Sequence, residues 1–364
     1  MFEVNNKKRF LDAITMQECE ALSHGDVMIH DKLVAEITNV YLEGDDGNAL
    51  ARIMNERMSE ENYLRHKRAR HFLGLDWMHV FPRETEMERE VLSDGSVRFK
   101  DVWGTVQIVN EECSHIAETP IRDHGSIRSY RFPDVDTFDF YNVQLWIDDG
   151  EFAVVAQLDT GFFKISQLAG FENYMFYINE NKSEMHGLME KFLEFEIRMA
   201  DRLIDLGVDV IWLGNDFCYN AGPFISPELF QEFDFDYTKK LVAHVRGKGI
   251  PVIMHCCGNI KTVIRRMIDT GVNAIHSLQP SAGNDIYEYK KEYGRDVCLI
   301  GNIDINELMP HGSPYDVDNQ VRIMVEKLFY DRKGWVLSTT NLLSIDTPVK
   351  NAITMHLAAE KYGR

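Results

Sequence analysis

The segment best equipped for chemistry is His255-Cys256-Cys257-Gly258. It follows a short apolar run and so reads as the end of a β-strand, along which successive side chains alternate faces. His255 and Cys257 then project the same way, while Cys256 points into the wall or the helix layer. An imidazole and a thiolate on one face make half of a zinc site, and a catalytic zinc takes three protein ligands with one position open for substrate. The same pair could instead close a buried strand, hydrogen-bonded and inert, because free cysteine is among the most buried residue types. Gly258 speaks for a ligand, since backbone without a side chain permits close approach.

Among the carboxylates Asp216 has the strongest claim, lying just past the apolar run 208–213 and Gly214. It is a candidate metal ligand, general acid or base, or substrate-orienting group; the alternative is that it orders its own loop, a common use of Asp. Cys218 in the same loop is a further metal candidate. Trp212, Asn215, Asp159, Gln279, Asp304 and Asn341 stand at the ends of apolar runs and are expected to line a substrate pocket. Asp159, Gln279 and Asp304 could serve equally as turn formers. Trp212, Phe217, Phe162 and Phe163 could wall an aromatic pocket, with core packing as the alternative use.

These residues need a scaffold that brings strand ends together. From about residue 150 onward, apolar β-branched runs at 152–158, 208–213, 251–255, 273–278, 297–301 and 335–338 alternate with helical patterns, and 76–81 is an earlier run. That alternation is the mark of βαβ units and a parallel sheet. The expected fold is α/β, a (β/α)₈ TIM-type barrel, in which chemistry sits at the C-terminal strand ends. Ser226-Pro227-Glu228, Ser313-Pro314 and Thr347-Pro348 each place a capping side chain before a proline at the first helical position. Residues 183–206 repeat apolar side chains at helical spacing until Gly207. Residues 47–73 are helical in pattern, and 90–109 read as a hairpin turning at Asp94-Gly95. This first part is expected to elaborate one end of a single barrel domain spanning residues 1–364, since no linker or repeat separates a second unit.

The stretch 161–362 resembles the uroporphyrinogen decarboxylase superfamily, in particular its corrinoid-dependent methyltransferase branch. The resemblance is carried by Gly207-Val208-Asp209-Val210-Ile211-Trp212-Leu213-Gly214-Asn215-Asp216, by Gly222-Pro223-Phe224-Ile225-Ser226-Pro227-Glu228, by His255-Cys256-Cys257-Gly258, and by Gly301-Asn302-Ile303-Asp304 with Asp346-Thr347-Pro348. It implies a barrel with its site at the strand mouths and a zinc bound through His255 and Cys257. The decarboxylases of this superfamily carry an Arg-Gln-Ala-Gly-Arg loop that grips substrate carboxylates. The first fifty residues here hold Arg9 alone. In the methyltransferases a further Cys follows the last barrel strand, where this chain has Asn341. Either Asp216 or Cys218 completes the metal site, or the metal has been lost.

The bulk properties narrow the partners. A formal charge of −19 on 364 residues disfavours nucleic acid and anionic membrane surfaces. No secretion signal or membrane-length apolar stretch is evident, so a cytoplasmic protein with reduced thiols is expected. What the resemblance implies is movement of a methyl group from a small methoxylated donor, aromatic ethers included, or a methylamine-type donor to a corrinoid carried by a partner protein, with zinc as Lewis acid. His255 and Asp216 are the expected catalytic groups, and a homodimer is an open expectation. The alternatives are a metal-free decarboxylase-like lyase and a non-catalytic corrinoid- or ligand-binding relative.

Overall fold

The computed structural model describes residues 6–45, 56–109 and 114–364. Two short strands, β1 (Ser23–His24) and β2 (Trp77–Val80), precede an antiparallel set, β3 (Glu86–Val91), β4 (Val97–Asp101), β5 (Val106–Val109) and β6 (Ser114–Glu118). Then come β7 (Ala153–Asp159), β8 (Val210–Gly214), a small flap of β9 (Cys218–Tyr219) and β10 (Gly222–Pro223), and β11 (Val252–Cys256), β12 (Ala274–Ser277), β13 (Cys298–Ile300) and β14 (Trp335–Leu337).

Eight of these strands form one parallel sheet in the order β1-β14-β13-β12-β11-β8-β7-β2. Asp76 N donates to His24 O at 3.2 Å across the remaining edge. The sheet thereby curls into a (β/α)₈ barrel with no free edge. β2, β7, β8 and β11 to β14 all fall on the apolar runs of the sequence, because a strand buried on both faces must be apolar along its length. β1 escapes that reading. Its Ser23 and His24 are polar because they enter a buried network: Ser23 Oγ donates to Asp76 at 2.6 Å, Arg9 pairs with Asp76 at 2.6 Å, and His24 meets Glu360 at 3.0 Å.

The expected hairpin is present, with Gly95 at φ +86° and Leu92 N bonded to Ser96 O, but β5 and β6 extend it to four strands. Glu60–Leu73 is the helical part of the 47–73 pattern, capped by Ser59 and ended by Gly74; residues 47–55 lie outside the described residues. The long helix Lys182–Leu206 stops where left-handed Gly207 turns the chain. Ser226 and Ser313 cap their helices as expected. Thr347 does not: Pro348 occupies the cap position before the helix Val349–Tyr362, and the buried Thr347 hydroxyl makes no hydrogen bond.

Inside the barrel the packing is aromatic. Phe10, on the helix Asn6–Ile14, stacks on Trp77 at 5.4 Å, Trp77 on Trp212 at 5.8 Å, and Trp212 on His255 at 5.8 Å. This column carries rigid support to the mouth, where His255 stands.

Candidate active site

β11 and β12 pair in register so that His255 lies opposite His276. The His276 ring is fully buried, and burial pushes its imidazolium well below the ordinary range, so it is neutral. Its Nε2 lies 2.9 Å from the Thr339 carbonyl, which can only accept, and therefore carries the proton. His276 Nδ1 is then a lone pair, and it accepts the Nδ1–H of His255 at 2.7 Å. The backbone carbonyl of Thr339 thus selects the tautomer of His255 two residues away in the chain of bonds, leaving Nε2 free to face the mouth. Thr339 is itself held by Asp26 through its N–H at 3.1 Å, and Asp26 meets His356 at 2.8 Å.

His255 Nε2 points at the Cys257 sulfur and at Asp216 Oδ1, each at 3.3 Å. All three donor atoms lie within 4.8 Å of one another. A tetrahedral zinc with bonds of about 2.0–2.3 Å spaces its ligands by roughly 3.3–3.8 Å, and the separations of Nε2 from the sulfur and from the oxygen fall in that range. Asp216 also accepts from Cys257 N at 3.1 Å, which ties the β8 loop to the end of β11. The electrostatics agree with the geometry. Burial alone would lower His255, yet Cys257 and Asp216 carry it up to about 10, so that Nε2 holds a proton between them and presents its lone pair when a metal displaces that proton. Burial alone would raise Asp216, yet its bond to His255 and the charge there bring it down to about 2. Positive charge is favoured where the three meet.

Asp216 rather than Cys218 is the third member of this group. Cys218 is buried in contact with Cys256, on the wall side, as the alternation of strand faces predicts for Cys256. Asn341 reaches the group as well, its Nδ2 donating to Cys257 Sγ at 3.3 Å. Gly258, at φ +79°, admits protein backbone and not a ligand: a Cβ there would fall 2.7 Å from Cys218 C and 2.8 Å from Tyr219 C.

The remaining candidates divide. Gln279 accepts from Gly258 N at 3.2 Å and so braces the loop beside Cys257. Trp212 is buried beneath His255 as a supporting plane. Asn215 is buried and donates to Asp234 at 2.7 Å. Asp304 accepts from Asn306 N and Glu307 N and borders an open groove with Asn302 and Tyr287. Asp159, level with Gly214 and hence with His255, is paired to Lys164 at 3.0 Å. Phe162 and Phe217 pack into the core around Phe230. His276 and Asp26 were not among the sequence candidates, although a histidine inside an apolar run was a signal available in 273–278.

Comparisons with known proteins bear on this site. Methylated-thiol–coenzyme M methyltransferase of Methanosarcina mazei is 21% identical over 175 residues, 48% of this chain and 45% of that protein. Methylcobamide:CoM methyltransferase of the same organism is 24% identical over 136 residues, 36% of this chain and 37% of that protein. A chloroplastic uroporphyrinogen decarboxylase of Zea mays is 25% identical over 169 residues, 46% of this chain and 40% of that protein. The matches span less than half the length of each of these relatives. A solved methyltransferase from Methanosarcina mazei superposes with a TM-score of 0.71 at 15% identity over 99% of both chains, which establishes a shared fold. Uroporphyrinogen decarboxylase family features extend over residues 104–362, and the chain belongs to that family.

Proposed function

We propose that this protein is a methyltransferase that moves a methyl group between a small methoxylated or methylamine-type donor and a corrinoid carried by a partner protein. The observation that carries the reading is the convergence of His255 Nε2, Cys257 Sγ and Asp216 Oδ1 at the barrel mouth. Relatives named as coenzyme M methyltransferases give it its reaction class.

His255, Cys257 and Asp216 would hold zinc, leaving a fourth position toward the mouth. Zinc bound there supplies Lewis acidity to a substrate heteroatom. The chain's own groups do the rest. His276 and Thr339 keep the lone pair of His255 directed outward. Asn341 donates to the Cys257 sulfur, which moderates the charge of the thiolate. Asp216, the most exposed of the three at 46% of its side chain and ionised, is placed to accept a proton at the mouth when it is not a ligand.

Cys257→Ala tests the reading. The purified parent should contain one zinc per chain by elemental analysis, and the variant should lose both zinc and transfer of methyl to a cobalamin acceptor. A fully active variant sinks the metal role.

A further inference from the structure

Asp216 reaches His255 and Cys257 from a different strand end, so its loop must be held for the three to meet. Along that loop the side chains alternate: Asn215 and Phe217 are buried, and Asp216 between them turns to the mouth. Phe217 N bonds to Asn215 O at 3.0 Å, which tightens the chain around Asp216. Both flanking residues are gripped by a single turn of helix. Residues Gln231–Phe235 form a π-helix between the helices Pro227–Phe230 and Asp236–Gly247, with Asp236 N bonded to Gln231 O five residues back. In a regular α-helix, residues five apart point about 140° away from each other. The wider turn instead sets Phe230 and Phe235 on one ring, 5.0 and 5.4 Å from Phe217. Such turns recur at functional sites.

The same turn presents Asp234. Its Oδ2 accepts from Asn215 Nδ2 at 2.7 Å and its Oδ1 from Phe162 N at 3.0 Å. Phe162 lies in the first turn of the helix Gly161–Ala169 behind β7, and Thr160 N donates to Gly214 O at 3.3 Å. One carboxyl group therefore joins the loops that follow β7 and β8. It does so in an unfavourable place. Asp234 has no exposed surface, and burial pushes its carboxyl up to about 6 against the lowering effect of the Phe162 and Asn215 donors. A buried carboxylate without a cationic partner stabilises a fold poorly, and an apolar side chain of similar size would serve packing better. What Asp234 supplies that such a side chain could not is a pair of acceptors fixing two loops in one arrangement.

We infer that Asp234 is a positioning residue of the site: by holding Asn215 and the start of the Gly161–Ala169 helix, it fixes the loop in which Asp216 accepts from Cys257 N at 3.1 Å and meets His255 at 3.3 Å. Asp234 acts through Asn215, with Phe217 as the second anchor of the same loop. The placement of Asp216 against Cys257 does not depend on any metal; the consequence for zinc rests on the metal reading proposed above.

The Cys257 amide reports the placement in metal-free protein, because its N–H donates to Asp216. Isotopic labelling of cysteine nitrogen gives six amide signals by magnetic resonance, that of Cys257 being assigned with Cys257→Ala. Asp216→Ala marks where this signal falls when the bond is lost. Asp234→Leu should move it toward that position and lower zinc affinity about tenfold in competition with a chelator. Asp234→Asn, whose amide oxygen still accepts from one of the two donors, should recover part of both. If Asp234→Leu does not fold, Asn215→Ala takes its place, since it leaves Phe162 bonded to Asp234. A Cys257 signal that stays in place in the folded variants overturns the assignment, and so does lowered thermal stability with that signal and zinc affinity unchanged. A parent that binds no zinc, with the signal displaced in the variants, sinks the metal reading and leaves the positioning role standing.

Discussion

If His255, Cys257 and Asp216 hold zinc as proposed, replacing His276 by Leu should weaken its binding without touching any of the three. The substitution removes the acceptor for the Nδ1–H of His255, now 2.7 Å away, and the donor to Thr339 O, now 2.9 Å away. His255 is then free to rotate or change tautomer, and the lone pair on Nε2 is no longer held toward Cys257 and Asp216. Loss of a partner behind a metal-binding histidine typically costs about 10- to 100-fold in metal affinity, or roughly 1.4–2.7 kcal/mol. Folding pays separately, because the buried Thr339 carbonyl loses its partner, at about 1–3 kcal/mol. The two effects are read by different assays: competition for zinc against a chelator of known affinity, and thermal unfolding of the metal-free protein. His276→Gln, with an amide that can accept from His255 and donate to Thr339, should recover part of both. A folded His276→Leu protein that binds zinc within about twofold of the parent would refute the role assigned to the ring pair.

Two further predictions concern buried groups. His79 is held by burial at about 3, far below the ordinary value, so the unfolded chain takes up a proton between pH 6.5 and 3 that the folded chain refuses. Its contribution is complete above pH 6.5 and is lost on acidification, by roughly 3 kcal/mol at pH 4; His79→Phe should therefore flatten the fall in melting temperature between pH 7 and pH 4, and parallel curves would count against it. Gly258→Ala forces a side chain into left-handed backbone and against the Cys218 carbonyl. It should lower stability by about 1–3 kcal/mol and reduce zinc content, as unfolding and elemental analysis would show; a variant as stable as the parent would mean that the flap moves aside freely.

Much of this fold is legible in the sequence for one reason: parallel barrel strands are buried on both faces and must be apolar throughout. The runs ending in Leu158, Leu213, His255, Leu278 and Gly301 could be located from that alone. β1 could not, since Ser23 and His24 have partners, Asp76 and Glu360, that are distant in the chain. The turn at Asp94-Gly95 was visible from its dipeptide, whereas β6 pairs as an exposed strand of mixed polarity that carries no such mark.

The site divides in the same way. Strand alternation determines that His255 and Cys257 share a face and that Cys256 turns away, because the period is set by covalent backbone geometry. Family likeness on the residues from Gly207 to Asp216 marks the β8 loop as important but leaves open whether Asp216 or Cys218 faces His255 and Cys257. Only the tertiary structure decides that, by packing Cys218 against Cys256 and bringing Asp216 Oδ1 to 3.3 Å from His255. It likewise decides which nitrogen of His255 faces the mouth, through a carbonyl on β14's trailing loop, and it leaves Glu196 Oε2 buried without a hydrogen-bond partner. Residue type and spacing announce what a side chain is able to do. Whether a donor, a charge or a lone pair is satisfied depends on neighbours brought in from elsewhere in the chain, and burial then sets the cost of leaving it alone.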